Sequence, residues 1–421
     1  MTMIPEGYTS SEVGIIPVNW KVGTLGEGNA RFTKGYGISK ADLSEGGIPC
    51  VRYAELYTTY GDMCVLTTPA STTLPASAKK FAQKGDVIFA CSGETFEDIG
   101  RAIAYIGDSP IAVGGDTLIY SNHNFEPSFL GYLLNSRYVV RQKMANSVGT
   151  TIIHIREKQL AELVVAYPEY EEQRAIATAL SDVDALIEAK QALLEKKRAI
   201  KPGAMQELLT GKRRLPGFPV TSMKNTEIGE IPEDWEVKPL GEIGVVKMCK
   251  RIFKHETSAE GDIPFFKIGT FGQQADAYIS KEKFDAYKSL YPYPQKGTPL
   301  ISAAGTIGRV VVYDGQDAYY QDSNIVWLEH EEKDILHAFL RYYYSVINWV
   351  TETGSAITRL YNNNILSSQV ALPTLREQSA IASTLADMDL EVTALEQELK
   401  KLVTLKQGMM QELLTGSIRL V

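Results

Sequence analysis

"QELLTG" stands at Gln206–Gly211 and again at Gln411–Gly416. The match extends upstream without a gap: "EQRAIATALSDVDALIEAKQALLEKKRAIKPGAMQELLTG" lies over "EQSAIASTLADMDLEVTALEQELKKLVTLKQGMMQELLTG" at a constant offset of 205 residues, with half of the paired positions identical. Glu172/Glu377, Ile176/Ile381, Asp182/Asp387, Asp184/Asp389 and Lys201/Lys406 are among the identities. A second echo opens each half, where "EVGIIPVNWKVGTLGE" from Glu12 matches "EIGEIPEDWEVKPLGE" from Glu227 at an offset of 215. The chain is therefore two tandem copies of one unit, and that duplication governs the architecture.

The repeated segment reads as helix. Ile176, Leu180, Val183, Ile187 and Leu194 follow a 4-3-4-7 spacing, and Ile381, Leu385, Met388, Val392, Leu395, Leu399 and Leu402 keep 4-3-4-3-4-3, a coiled-coil seam. Each run starts just after a proline, carries acidic residues in its first turn, and stops at Gly211 or Gly416 in a C-cap position. About 40 residues at roughly 1.5 Å each make a rod near 60 Å long. Two such narrow seams predict an antiparallel coiled coil between the copies. Pro202-Gly203 predicts a kink or local break in the first rod, while Gln407-Gly408 leaves the second straighter.

The remaining sequence forms two larger blocks, roughly 12–170 and 227–375. Short apolar runs such as "DVIFA", "AIAYI", "TPLIS", "RVVVY" and "NIVWL" predict strands, and "SFLGYLLNSRYVVRQKM" and "DILHAFLRYYYSVINWVTE" predict helices. The blocks have diverged more than the rods and share only a skeleton: "GGIPCVR" against "GDIPFFK", "KGDVIFACSGETFEDIGRAIAY" against "KGTPLISAAGTIGRVVVY", and Gly149 against Gly354. The expected division is 1–170, first block; 171–211, first helix; 212–375, second block; 376–421, second helix. The fold class is α+β, with two β-rich mixed domains in tandem separated by two long paired helices and related by pseudo-two-fold symmetry. By the same logic the two chain ends lie close together.

A chain of 421 residues with 44% hydrophobic content suits two or three globular domains. No basic-then-apolar leader and no run of about 18 apolar residues occurs, so the expected location is cytoplasmic. Cys50, Cys64, Cys91 and Cys249 are widely spaced without a C-x-x-C pair, which predicts reduced thiols rather than a zinc site or disulfides. The net charge of -8 excludes indiscriminate coating of nucleic acid but leaves room for local basic surfaces.

Catalytic motifs are missing. "PEDWEVK" at Pro232–Lys238 contains D-x-E-x-K, a nuclease-like spacing, but the first copy has Asn19 and Lys21 where the acids stand. The shared roles there belong to Pro17/Pro232 and Trp20/Trp235, as turn and aromatic anchor. "SAAGTIGR" and "CSGETFEDIGR" lack the G-x-x-x-x-G-K-[ST] pattern of a phosphate loop. His123, His154, His255, His330 and His337 are scattered, with no metal set and no nucleophile–base pair in view. Nor is there an Asp/Asn-Pro-Pro-aromatic run of the kind that accepts an adenine amino group for methylation.

Nucleic-acid contact has better support. "ARFTKGYGISK" and "VVKMCKRIFKHE" occupy nearly equivalent positions in the two blocks and combine Lys or Arg with aromatic residues, and a Gly-Arg pair at Arg101 and Arg309 is retained in both. Lys and Arg neutralise phosphates or reach guanine edges, and glycine lets a loop approach the backbone. Arg31, Lys34, Arg101, Lys247, Lys250, Arg251 and Arg309 are the candidate DNA contacts.

Two diverged blocks, each opened by G-x-I-P-x-x-W and followed by a helix that begins EQ-x-A-I-A and ends QELLTG, resemble the specificity subunit of type I restriction-modification systems. The resemblance spans essentially the whole chain. It implies two target recognition domains, each reading one half of an asymmetric bipartite sequence in double-stranded DNA, on helices that act as a spacer and as a dock for two modification (methyltransferase) subunits. It further implies a chain without catalysis or cofactor of its own: S-adenosylmethionine, ATP and magnesium belong to the modification and restriction subunits. The alternative is the recognition subunit of a related methyltransferase system that has no type I restriction partner.

Overall fold

The computed structural model describes residues 4–347, 349 and 359–420; Gly354 and the end of the second predicted helical stretch lie outside the described residues. The chain forms two compact units, Met1–Gln191 with Gln397–Val421, and Ala192–Glu396. The two long helices, Tyr170–Leu209 and Leu375–Leu413, each contribute residues to both units.

The first unit opens with the antiparallel hairpin of Tyr8–Ser11 and Gly14–Pro17. Strand Lys21–Thr24 then pairs antiparallel with Val164–Tyr167, so the start and end of the block leave side by side. Between them a five-stranded sheet runs in the order Arg31–Lys34, Thr117–Ser121, Val87–Ala90, Ala102–Tyr105, Val65–Leu66. A four-stranded sheet, ordered Ser71–Thr73, Leu43–Val51, Ile111–Val113, Phe81–Ala82, covers it. The core between them is largely aliphatic, with Val51, Leu56, Leu66, Ile88, Ile103 and Ile119 buried.

The second unit follows the same plan. Hairpin Met223–Thr226 and Gly229–Pro232 leads to the pair Glu236–Pro239 with Gln369–Leu372. A four-stranded sheet has the order Val245–Lys247, Ile325–Glu329, Pro299–Ser302, Val310–Val312. Its second core is aromatic instead, built from Phe265, Phe271, Phe284, Tyr313, Tyr319, Tyr320 and Trp327 with helix Lys281–Leu290 packed on it.

Within each unit the start of one long helix runs antiparallel to the end of the other. In the first unit Arg419 pairs with Glu172, Lys406 with Asp184 at 2.6 Å, and Lys190 with Glu398 at 2.5 Å. In the second, Arg214 pairs with Glu377 at 2.5 Å, Lys201 with Asp389, and Lys197 with Glu391 at 2.6 Å. Tyr132 and Tyr342 each donate to the helix aspartate, Asp184 or Asp389, at 2.7 Å. Of the seam residues, Ile176, Leu180, Leu194, Ile381, Leu385 and Leu395 are buried, and Val183, Ile187, Met388, Val392, Leu399 and Leu402 half-buried. Pro202 does not break the first helix, whose helical run passes through it. The ring deletes one N–H bond of the ladder, and the Lys201–Asp389 pair and buried Ala204 hold the flanking turns in place.

The hexapeptide is repeated for a steric reason. Gly211 and Gly416 both sit at φ +71°, the left-handed helix stop that glycine occupies without strain. A Cβ on Gly211 would lie 2.4 Å from Pro232 Cδ, and one on Gly416 2.5 Å from Pro17 Cδ, with Trp235 and Trp20 just beyond. The closing and opening motifs are therefore two halves of one joint. In the first unit this joint brings the chain ends together, with the Tyr8 hydroxyl donating to the Gly416 carbonyl at 3.0 Å.

One lysine stands apart. Lys143, in helix Arg137–Asn146, is fully buried, donates to the Gly100 carbonyl at 2.6 Å and lies 5.7 Å from the centre of the Phe89 ring. Burial, with Arg101 nearby, pushes its pKa down to about 7.

These features give two predictions. Gly211→Ala and Gly416→Ala will each destabilise their unit by about 2–4 kcal/mol, from left-handed strain plus overpacking. Gly203→Ala and Gly408→Ala, where nothing lies within 4 Å, will stabilise by roughly 0.5–1 kcal/mol. Urea titration of the four variants checks the sign, and equal effects would sink the joint. For Lys143 the unfolded chain binds more protons than the folded one between pH about 7 and the ordinary lysine value near 10.4, so this group makes stability rise with pH across that window. Lys143→Met will flatten that rise; parallel pH profiles for the two proteins would refute the assignment.

Candidate nucleic-acid interface

In both units three chain segments meet at the end of an interior strand of the main sheet, Val87–Ala90 or Pro299–Ser302, through the same backbone bonds. Cys91 N donates to Asp116 O and Ala303 N to Asn324 O, both at 2.8 Å. Ile155 N reaches Cys91 O at 3.0 Å, as Leu360 N reaches Ala303 O at 2.8 Å. The Gly-Arg loops close likewise, Ala90 N to Arg101 O at 2.9 Å and Ser302 N to Arg309 O at 3.0 Å. Residues 92–101 and 304–309 are thus equivalent loops, and His154 in the first unit stands where Arg359 stands in the second.

The side chains on this shared frame differ. In the first unit the buried Ser92 hydroxyl lies 3.1 Å from Asp116 Oδ2 and 2.9 Å from His154 Nδ1, and both of those residues are exposed. Serine, histidine and aspartate thus meet, which their scattered positions in the sequence hide. The hydroxyl sits between the other two, whereas a nucleophilic triad needs the carboxylate behind the imidazole. Beside it, burial pushes the Cys91 thiol up to about 12, with Asp116 adding to the shift, so it is an inert group. In the second unit Arg359 Nη2 donates to the Ser323 hydroxyl at 3.0 Å and to Asn324 Oδ1 at 3.1 Å. A recess of about 320 Å³ adjoins it, lined by Met248, Ser323, Tyr361 and Asn362 among others. Asp116 and Ser323 hold φ of 59° and 54°, a region that non-glycine residues seldom occupy and that clusters at functional sites.

The sequence-derived basic residues fall in different places. Arg31 and Lys34 are exposed at opposite ends of strand Arg31–Lys34; Lys34 borders this meeting point, since the next residue, Gly35, donates to Thr117 O at 3.0 Å. Lys250 and Arg251 are exposed; Lys250 lies 5.0 Å from the Tyr291 ring centre and Arg251 pairs with Asp322 at 2.8 Å. Lys247 is half-buried within strand Val245–Lys247. Arg101 and Arg309 are half-buried too, each donating to a backbone carbonyl, Met63 O at 3.4 Å and Phe271 O at 3.1 Å. They brace the loops on which they stand.

Within the D-x-E-x-K stretch Lys238 lies 3.5 Å from Glu236, but both end residues are engaged elsewhere. Asp234 is bound by Arg214 and Thr221, and Lys238 reaches Asp334 at 2.8 Å. Among the described residues no group of three or more His, Cys, Asp or Glu could hold a metal ion, and no helix is long and apolar enough to cross a membrane. His330 and His337 do meet, ring centres 4.3 Å apart, with burial lowering the pKa of both. Two important arginines carry no signal in the repeat as far as QELLTG: Arg214 and Arg419 lie three residues past each Gly, in a shared G-x-x-R-L that marks them once the alignment is extended.

The same organisation occurs in known proteins. The family model described as "Type I restriction modification DNA specificity domain" matches residues 17–196 and again 232–405. A Haemophilus influenzae protein described as a type I restriction enzyme specificity subunit is 50% identical over 155 residues, 37% of this chain and 40% of that protein. The MjaX specificity subunit of Methanocaldococcus jannaschii is 27% identical over 98% of this chain and 97% of its own length. Among solved structures, a type I restriction-modification S subunit from M. genitalium superposes with a TM-score of 0.57 at 17% identity, covering 94% of this chain and 96% of that one. With two copies of the domain and the paired helices, the chain belongs to the DNA specificity subunits of type I restriction-modification systems, the non-catalytic members of those enzymes.

Proposed function

We propose that the chain reads an asymmetric bipartite site in double-stranded DNA, one half through each block, and carries this choice to modification and restriction partners in the cytoplasm. The observation behind this reading is the shared backbone frame with different side chains: Ser92, Asp116 and His154 on one, Ser323, Asn324 and Arg359 on the other. A reader of one repeated half-site has no use for two chemistries. Arg31, Lys34, Arg101, Lys247, Lys250, Arg251 and Arg309 are the proposed DNA contacts; Arg31, Lys34, Lys250 and Arg251 are exposed, and Lys247, Arg101 and Arg309 are half-buried. The helix seam from Ile176 to Leu194 and from Ile381 to Leu402 sets the pairing of the helices, whose outer faces would receive two modification subunits. S-adenosylmethionine would be bound there, and ATP and magnesium on the restriction subunits.

Two experiments follow. Exchanging residues 28–168 for the equivalent block of a relative will change one half-site in the methylation pattern of the assembled complex and leave the other intact; if both changed together, the assignment of one half-site to each block would fall. Replacing all seven cations by Ala will weaken binding across all sequences and reduce the slope of log affinity against log salt by about one unit per lost phosphate contact. Wild-type affinity and slope after those changes would reject the patch.

A further inference from the structure

The two side-chain clusters have opposite hydrogen-bonding polarity, and their proton accounting shows it. A carboxylate only accepts, so the single proton of the Ser92 hydroxyl goes to Asp116. The contact between Ser92 and His154 Nδ1 then needs the proton on Nδ1, and in the tautomer that carries only that proton Nε2 is an acceptor. The exposed face of Asp116 and His154 is therefore a pair of acceptors. In the second unit the signs are reversed. Arg359 spends only Nη2 on Ser323 and Asn324, and among the described residues its remaining guanidinium nitrogens have no acceptor. Asn324 accepts through Oδ1, which leaves its amide N–H groups to donate.

We infer that these clusters are base-reading positions of opposite sense: Asp116 with His154 reads a cytosine through its exocyclic amino group, and Arg359 with Asn324 reads a guanine through O6 and N7. Major-groove chemistry assigns the bases. The Asp116 carboxylate suits the one N–H of the cytosine amino group that base pairing leaves free in the major groove, whereas adenine sets an acceptor, N7, beside its own amino group. The Nη1 N–H groups of Arg359 and the amide N–H groups of Asn324 supply donors from two neighbouring side chains, which suits guanine, whose two acceptors stand side by side. Asp116 and Ser323 hold positive φ, and the Ser92 and Ser323 hydroxyls each hydrogen-bond a reading group, His154 and Arg359 respectively. His154 and Arg359 are 205 residues apart, the same offset as the helices, so one ancestral position has come to carry an acceptor in one copy and a donor in the other. The inference rests on the reading of each block as a half-site reader.

The test uses the full chain assembled with its modification partners and a pool of duplexes in which each base pair of the wild-type methylated site is varied singly. Asp116→Asn will lower discrimination at one G·C pair of one half-site by about 5- to 100-fold and leave the other half-site unchanged. Arg359→Gln will do the same at one G·C pair of the other half-site. In the wild-type complex, 7-deazaguanine at that second pair will cost a similar factor, and the cost will vanish in Arg359→Gln. Unchanged preferences in both variants, a uniform loss over all sequences, or a second half-site with no pair sensitive to 7-deazaguanine would each overturn the inference. The block exchange separates the two levels: if it moves a half-site while the point variants do not, only the base assignment falls.

Discussion

The structure depends on a joint at each helix end, where a buried carboxylate, an arginine, a tryptophan and a glycine close on one another. Glu377 is 1% exposed, takes both Nε and Nη2 of Arg214, and accepts from Trp235 Nε1 at 3.2 Å. Glu172 takes Arg419 in the same bidentate way. Breaking a buried pair of this kind costs about 3–5 kcal/mol, whereas an exposed pair such as Lys190–Glu398 contributes at most about 1 kcal/mol. The ends of the helices are thus locked, and the pairs along their length mainly set register.

This joint explains how the blocks were free to diverge. It ties helix, opening hairpin and returning strand together without touching the sheets' outer loops. The frame at the strand end is set by backbone bonds, which are blind to side-chain identity, so Ser92 and Ala304, His154 and Arg359, Asp116 and Asn324 exchange without moving the chain. The second cores show the same freedom on a larger scale, aliphatic around Ile88 and Ile103 in one unit and aromatic around Tyr319 and Tyr320 in the other.

The sequence disclosed the duplication, the helices and the family because these rest on local periodicity and on motifs at a fixed offset. The helix limits came within a few residues of Tyr170–Leu209 and Leu375–Leu413. What lay hidden was contact between segments far apart. Nothing local shows that Gly416 abuts Pro17, or that Arg101 and Arg309 each donate to a backbone carbonyl of a distant segment. At Pro202 the helical run continues, so of the kink or break that proline predicts, the break does not occur. The division into units, which cuts both helices, is likewise a property of packing and not of pattern.

That division also sets an order of events during synthesis. The second unit is one continuous segment, Ala192–Glu396, and all its partners have emerged once Glu396 clears the ribosome. The first unit is made earlier but lacks Arg419, Lys406 and the Gly416 wedge until translation reaches the far end. Trp20, Ile176 and Leu180 belong to one core with Leu413 and Leu414, and wait for them as exposed apolar surface. The half translated first is therefore the last to close, and a nascent chain cut short before residue 397 carries one finished block and one open one.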